Sequence, residues 1–176
     1  TIQPGDNLAK IAKTYSITPE LLARINDLEN PNRIRAGQKI KVIKGPFSAR
    51  VSKSQFSIDL LLNNQIVKSF KVGLGQDDGT PTGEWVIRNK LTNPTYYPPR
   101  GGKIIGADDP ANPIGERWLG LEGVSGEAAG QERYGIHGTV EPDSIGKAVS
   151  MGCVRMLNED VIRVYELLIV GSKVSI

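Results

Sequence analysis

The sequence predicts a mainly β, α+β protein in two pieces, a small βααβ unit followed by a β-sandwich-like domain with one or two helices. Three observations carry that prediction. The chain holds 20 Gly and 11 Pro among 176 residues, which favours turns and short strands over a helical bundle. Helical periodicity is concentrated near the two ends, and the stretch between them alternates with period two. Hydrophobic residues make up 39% and charged residues 23%, the balance of a chain that buries a core. No apolar run approaches the ~18 residues of a membrane helix. The net charge of +3 is spread along the chain, which fits an anionic polymer environment better than a nucleic-acid groove.

Taken in order, Asp6 or Asn7 can cap a helix whose apolar residues Leu8, Ile11, Ala12 and Tyr15 recur at helical spacing. Thr18 before Pro19 starts a second helix, with Leu21, Leu22 and Ile25 on its buried side. Asn30-Pro31-Asn32 breaks the chain, and Lys39 to Ile43 alternates as a strand, to be joined by another near Thr1-Ile2-Gln3. Lys44-Gly45-Pro46 is a short linker. Ile58, Leu60 and Leu62 lead to Asn63-Asn64, and Ile66 to Val72 run back, which predicts a hairpin with positive φ in its turn. Glu84 to Arg88, Trp118 to Leu121, Tyr134 to His137 and Lys173 to Ile176 read as strands. Between Leu91 and Asn112 the Pro, Gly and Asn content predicts a long surface excursion beside a pocket. The last helix is expected to be capped by Asn158, with Val161, Ile162, Tyr165, Leu168 and Ile169 inward and Gly171 at its end.

The scarcest residues carry the chemistry. The chain has one Cys, Cys153, and one His, His137, so neither an intrachain disulfide nor a zinc site of several His and Cys ligands is available. Gly73-Leu74-Gly75 lacks the rest of any phosphate-binding fingerprint, and Asp108-Asp109 reads as a turn in a Pro-rich loop rather than a cation site. A thiol needs a base or a lowered pKa to attack a carbonyl, and an imidazole within reach supplies it. Both residues stand beside glycines, Gly138 and Gly152, expected to reduce bulk near the imidazole and to let a substrate carbonyl reach the amides at the nucleophile. Arg155, two residues past Cys153, shares its face in an extended chain and could hold a carboxylate. Against this stand plainer readings: a lone Cys as a small buried hydrophobe, a lone His as a satisfied strand residue, Arg155 as a solvated charge.

Residues 1–44, through Gln3-Pro4-Gly5-Asp6-Asn7-Leu8, Ile11-Ala12, Asn26, Asn30-Pro31-Asn32 and Ala36-Gly37-Gln38-Lys39-Ile40, resemble a LysM module, a binder of N-acetylglucosamine polymers. The resemblance implies a sugar groove formed by Gly5, Asp6, Asn7, Leu8, Asn26, Asn30 and Pro31; read alone, these are caps and turn residues. Residues 49–176 resemble the catalytic domain of the YkuD family of L,D-transpeptidases through Thr80-Pro81-Thr82-Gly83-Glu84, Asn112-Pro113-Ile114-Gly115, Arg117-Trp118-Leu119, Tyr134 to Thr139 and Ile145 to Cys153. Met151 stands where many relatives have a second His, so activation must rest on His137.

That resemblance implies Cys153 as nucleophile, His137 as base, a Gly138 carbonyl orienting the imidazole, and amides near Gly152 and Cys153 as oxyanion donors. Arg155 and Ser150 would assist, with Trp118, Tyr134 and Thr139 along the substrate cleft; for Trp118 and Tyr134 core packing is the plainer role, and for Ser150 a turn. The implied reaction joins the third residues of two peptidoglycan stem peptides, a 3→3 cross-link, with release of D-Ala. Water as acceptor would make an L,D-carboxypeptidase, and a catalytically dead domain would leave a peptidoglycan-binding wall protein. A sortase-like reading is disfavoured because only Val154 separates Cys153 from Arg155. The chemistry needs no metal or organic cofactor. The expected partners are glycan strands and stem peptides, with no nucleic acid and no membrane span. A monomer in the bacterial cell envelope or wall, the spore wall included, is expected, as a processed chain because Thr1 is no start Met.

Overall fold

Side-chain caps start the two N-terminal helices. In the computed structural model, which describes residues 1–176, α1 (Leu8–Thr14) begins where the Asn7 carboxamide accepts the Lys10 amide at 2.8 Å. α2 (Pro19–Ile25) begins where the Thr18 hydroxyl accepts the Leu21 amide at 3.1 Å. Asp6 is not the cap; its carboxylate accepts the Gln3 amide one turn earlier, at 2.8 Å. Leu8, Ala12, Leu21 and Leu22 are buried between the helices and the rest of the chain, and Ile25 is half-buried.

The two strands expected in this unit do not form. Ile2 exchanges a pair of 2.9 Å backbone hydrogen bonds with Gly37 and Gln38, and the pairing stops there. Further along, the Asn26 carboxamide donates to the Lys41 carbonyl at 2.9 Å and accepts the Lys41 amide at 2.6 Å. A side chain thus takes the backbone groups that a neighbouring strand would have used.

The remaining chain builds β1 (Phe47–Ser52), β2 (Ser57–Leu62), β3 (Gln65–Lys71), β4 (Leu74–Gly75), β5 (Gly83–Thr92), β6 (Arg117–Gly126), β7 (Tyr134–His137), β8 (Ala148–Ser150), β9 (Val154–Arg155), α3 (Asn158–Leu167) and β10 (Lys173–Ser175). Eight strands form one sheet in the order β3-β2-β1-β10-β5-β6-β7-β9, and β4 pairs with β8 in a second, two-stranded sheet. The β2–β3 hairpin turns at Asn63 and Asn64, at φ 51° and 63°, the left-handed pair that its twist demands. The C-terminal β10 enters the middle of the sheet, parallel to β1 and antiparallel to β5, so the chain end closes the fold.

α3 departs from expectation at both ends. Asn158 is its first helical residue rather than its cap, because its carboxamide accepts the Glu116 amide at 3.3 Å and donates to the Thr139 carbonyl at 3.2 Å. The helix stops at Leu167, where buried Leu168 turns extended, and Gly171 (φ +89°) instead shapes the turn into β10.

One hydrophobic cluster runs from Leu8 and Leu22 of the N-terminal unit through Phe47, Trp85 and Leu121 to Val164 and Val174. Polar contacts lock α2 onto α3: the Thr18 hydroxyl donates to the Glu166 carbonyl, and Arg24 pairs with the Glu166 carboxylate at 2.7 Å. The Gly45 amide donates to the Tyr15 carbonyl at 2.8 Å, tying the linker to α1. No helix is long and apolar enough to cross a membrane.

Candidate active site

Strand alternation on β7 sends Ile136 into the core and keeps Gly135 and His137 on the opposite face. β9 runs parallel to β7 with Ile136 beside Val154 and His137 beside Arg155. One step back along that register sets Cys153 beside Gly135, whose backbone hydrogen-bonds the thiol. His137, Cys153, Arg155, Ser150 and Trp118 therefore meet around one cavity of about 300 Å³. Its other wall is formed by the predicted excursion, through Pro94, Tyr96 and Tyr97, and by Ile114 just beyond it. Reciprocal hydrogen bonds between Tyr96 and Ile105, at 2.9 and 3.1 Å, close that excursion on itself.

His137 is buried, with Nδ1 2.5 Å from the Gly138 carbonyl oxygen. A carbonyl only accepts, so Nδ1 carries the proton and Nε2 presents its lone pair. Burial lowers the imidazole pKa to about 4, with the Gly138 carbonyl raising it and the Arg155 charge lowering it further. The ring is thus a neutral base at neutral pH. The Trp118 indole stacks on it at 5.8 Å and 18°.

Half-buried Cys153 is held chiefly by burial above its ordinary thiol pKa, while the Gly135 hydrogen bond and Arg155 pull it down. Both partners rest uncharged, and no hydrogen bond joins them in this state. The turn carrying the thiol is fixed from two sides. The Ser150 hydroxyl donates to the Cys153 carbonyl at 2.8 Å and accepts the Gly152 amide at 3.1 Å. The Thr80 hydroxyl donates to the Gly152 carbonyl and accepts the Gly75 amide, both at 2.9 Å.

Thr80 is a site residue that the sequence reading missed. It was visible only as part of the Thr80-Pro81-Thr82-Gly83-Glu84 match, and its partner lies far along the chain. The Gly152 amide, expected as an oxyanion donor, is already taken by Ser150, which leaves the Cys153 amide.

The glycines act differently from expectation. Gly152 sits at φ +128°, and a Cβ there would stand 2.5 Å from the Tyr134 ring and 2.8 Å from the Gly79 carbonyl. Its smallness serves packing of the turn rather than substrate approach. A Cβ on Gly138 would collide with Asn158 Oδ1, so the space beside the imidazole is filled from α3.

Arg155 exchanges backbone hydrogen bonds with Gly73 at 2.8 Å and gives Nη1 to Glu141 at 2.8 Å, while its Nε is buried without a partner. Of the residues expected along the cleft, Trp118 lines it. Tyr134 and Thr139 do not. Tyr134 is on the Ile136 face, edge-on to Trp85 at 5.3 Å, and Thr139 is buried, accepting the Glu141 amide at 3.0 Å.

In the N-terminal unit, the polar groups expected to hold sugar are largely engaged within it. Asn7 caps α1, Asn26 braces Lys41, and Asn30 accepts the Asn32 amide at 2.9 Å. Leu8 is buried, and Gly5 and Pro31 are exposed. Asp6 lines a cavity of about 270 Å³ with Lys10, Tyr15 and Val42, a cavity to which Asn26, Asn30 and Pro31 do not contribute.

Residues 46–176 match the family model of the L,D-transpeptidase catalytic domain (YkuD), and residues 1–42 match that of the LysM domain. The chain is 36% identical to YkuD of Bacillus subtilis and 34% identical to YkuD of Bacillus licheniformis, each over 183 residues, covering 99% of this chain and 96% of the relative. Among solved structures, a mutant of the Enterococcus faecium L,D-transpeptidase aligns with TM-score 0.56 at 14% identity, covering 74% of this chain and 49% of that one. An L,D-transpeptidase from Mycobacterium tuberculosis aligns with TM-score 0.55 at 14% identity, covering 74% and 57%. At such identities the likeness is one of fold, and this chain spans about half the length of those proteins.

Proposed function

This chain belongs to the YkuD family of L,D-transpeptidases and carries an N-terminal LysM domain, and from that premise we propose that it links the third residues of neighbouring stem peptides through an acyl-enzyme on Cys153. The family acts on peptidoglycan and the LysM domain binds it, which supports a location in the cell wall or envelope. The observation carrying the proposal is the parallel β7–β9 register, which brings a neutral, tautomer-fixed imidazole and the thiol to one cavity.

His137 Nε2 takes the Cys153 proton, and the thiolate attacks the carbonyl of the third residue. The Cys153 amide donates to the oxyanion that forms. Collapse breaks the bond to D-Ala, whose amine leaves with the proton from His137. The side-chain amine of a second stem then attacks the thioester, passes a proton through His137, and regenerates the thiol. Neutral resting partners suit this sequence, because the proton moves only as the bond forms. The largely apolar wall from Pro94 to Ile114 offers few partners to hold a hydrolytic water, which supports an amine acceptor over hydrolysis.

We place the glycan-binding unit at residues 1–44 and the catalytic domain at 49–176, acting as a monomer. The LysM unit raises the local concentration of stem peptides at Cys153. Mass spectrometry of tetrapeptide muropeptides incubated with the protein, beside Cys153→Ala, tests the reading. Cross-linked dimer with loss of D-Ala, absent in the variant, is expected. Tripeptide without dimer would make the enzyme an L,D-carboxypeptidase, and no product from either common diamino acid would leave only a peptidoglycan-binding protein.

A further inference from the structure

Arg133 is a cation of the catalytic cavity that nothing in the protein engages. It stands in the bend immediately before β7 and lines the same cavity as His137. It lines the cavity of Cys153, and its guanidinium makes neither a hydrogen bond nor an ion pair, since the neighbouring Glu132 is turned to Arg88 at 2.7 Å. The other cation there, Arg155, keeps a buried Nε without an acceptor even after pairing with Glu141. No Asp or Glu lines the cavity, and its remaining walls are largely apolar and aromatic. With the charge of Arg155 compensated by Glu141, Arg133 leaves the cavity one uncompensated positive charge and no acid in its lining. A carboxylate is the group that completes it, because a guanidinium fork binds one with two charge-assisted hydrogen bonds.

The register locates that surplus. Gly135, the neighbour of Cys153, is followed two residues on by His137 and preceded two residues back by Arg133, and both side chains line the cavity of the thiol. The leaving-group proton is handled at His137, so the opposite flank is open to the side chain of the residue whose carbonyl is attacked.

We propose that Arg133 is a specificity-determining residue that reads the charge at the side-chain end of the acyl donor's third residue, selecting a diamino dicarboxylic acid with its carboxylate free. A donor ending in a bare ammonium would add a second uncompensated cation to a cavity lined by no acid. A donor whose side-chain carboxylate is amidated would leave the guanidinium without its charged partner. This rests on the transpeptidase reading above, and the test separates the two.

Three tetrapeptide donors are compared, identical except at the third residue: a diamino dicarboxylic acid, its side-chain carboxamide, and lysine. Their turnover is measured by mass spectrometry with the wild-type chain and with Arg133→Gln and Arg133→Lys. Their binding is measured separately by calorimetry on Cys153→Ala with and without Arg133→Gln. Wild type is expected to prefer the free carboxylate over the carboxamide by about 10- to 100-fold in kcat/KM, mostly through KM. Arg133→Gln brings that ratio to near one, and Arg133→Lys restores part of it. The binding ratios follow the same pattern. Turnover with no charge preference, or with a preference that Arg133→Gln leaves intact, overturns the role of Arg133 and spares the transpeptidase. Charge-selective binding lost in Arg133→Gln, without turnover of any donor, supports Arg133 and sinks the chemistry. Neither turnover nor selective binding sinks both.

Discussion

The LysM unit and the catalytic cavity use polar side chains in opposite ways. In residues 1–44 most side-chain bonds are short-range, Asn7 to Lys10, Asp6 to Gln3, Thr18 to Leu21 and Asn30 to Asn32, with Asn26 to Lys41 and the contacts to Glu166 as the long-range exceptions. Each short-range bond fixes a helix start or a turn and leaves little polar capacity over. Around Cys153, apart from the local Ser150 bonds, the supports come from farther along the chain: Thr80 braces Gly152, Gly73 pairs with Arg155, Asn158 reaches Thr139. There the supporting hydrogen bonds are made largely by residues outside the proposed chemistry, and His137, Cys153 and Arg133 line the cavity with side-chain capacity left over. A binding unit can be stabilised locally and still present its surface, whereas a nucleophile needs its neighbours held by something other than itself.

Removing the base strikes this contrast hardest. His137→Gln keeps a planar side chain beside Gly138 but removes the proton acceptor, and turnover is expected to fall by about 10²- to 10⁴-fold, with slower iodoacetamide alkylation of Cys153. Undiminished alkylation would mean that the thiol is activated without the imidazole.

Acid should separate the two regions next. The unfolded imidazole takes up its proton near 6.5 and the folded one only near 4, so between these values the unfolded chain binds more protons. Stability due to His137 is full above pH 6.5 and is lost as the pH falls to about 4, by on the order of 3 kcal/mol. Urea unfolding at pH 7 and pH 4 measures it, and His137→Gln should lack that component.

Thr80→Val tests the long-range brace. It keeps the shape but leaves the Gly75 amide and Gly152 carbonyl unpaired, for a loss of about 1–3 kcal/mol and slower acylation of Cys153. A variant with wild-type stability would show that the turn is held by Ser150 alone.

The smallest effect is expected at Thr18→Ala, which removes the cap of α2 and the bond to Glu166. A loss of about 1 kcal/mol, faster proteolysis near Lys44-Gly45-Pro46, and an unaltered alkylation rate at Cys153 would confine the damage to the junction. A change in thiol reactivity would instead show that docking of the LysM unit reaches the site.

Where the signal was local, most of it was legible. The caps at Asn7 and Thr18, the 3.6-residue period of α1 and α2, and the Asn63-Asn64 hairpin appear where pattern and turn chemistry put them. β1 went unread despite its six alternating residues, and β4, β8 and β9 are two or three residues long, too short to show a period by themselves. Asn158 shows how a correct local preference is overruled: it is a good cap, but Glu116 and Thr139 offered its carboxamide partners from elsewhere. The strand expected over Lys39 to Ile43 was overruled likewise by Asn26. Trp118 and Tyr134 were equivalent in the sequence, two aromatics flanking the site; register and strand parity put Trp118 on His137 and turned Tyr134 to Trp85.

The sequence by itself narrowed the candidate reactive pair to one His and one Cys, and it determined the helices and hairpin through bonds closed within a few residues. Tertiary structure alone decided which face of β7 meets the cavity, that Ser150 withdraws the Gly152 amide, that Thr80 braces the nucleophile's turn, and that Arg133 is left unpaired beside the thiol. These depend on pairings between segments remote along the chain, such as β7 with β9 and Thr80 with Gly152, and loop closure over such distances is settled by the packing of the whole core rather than by any local preference.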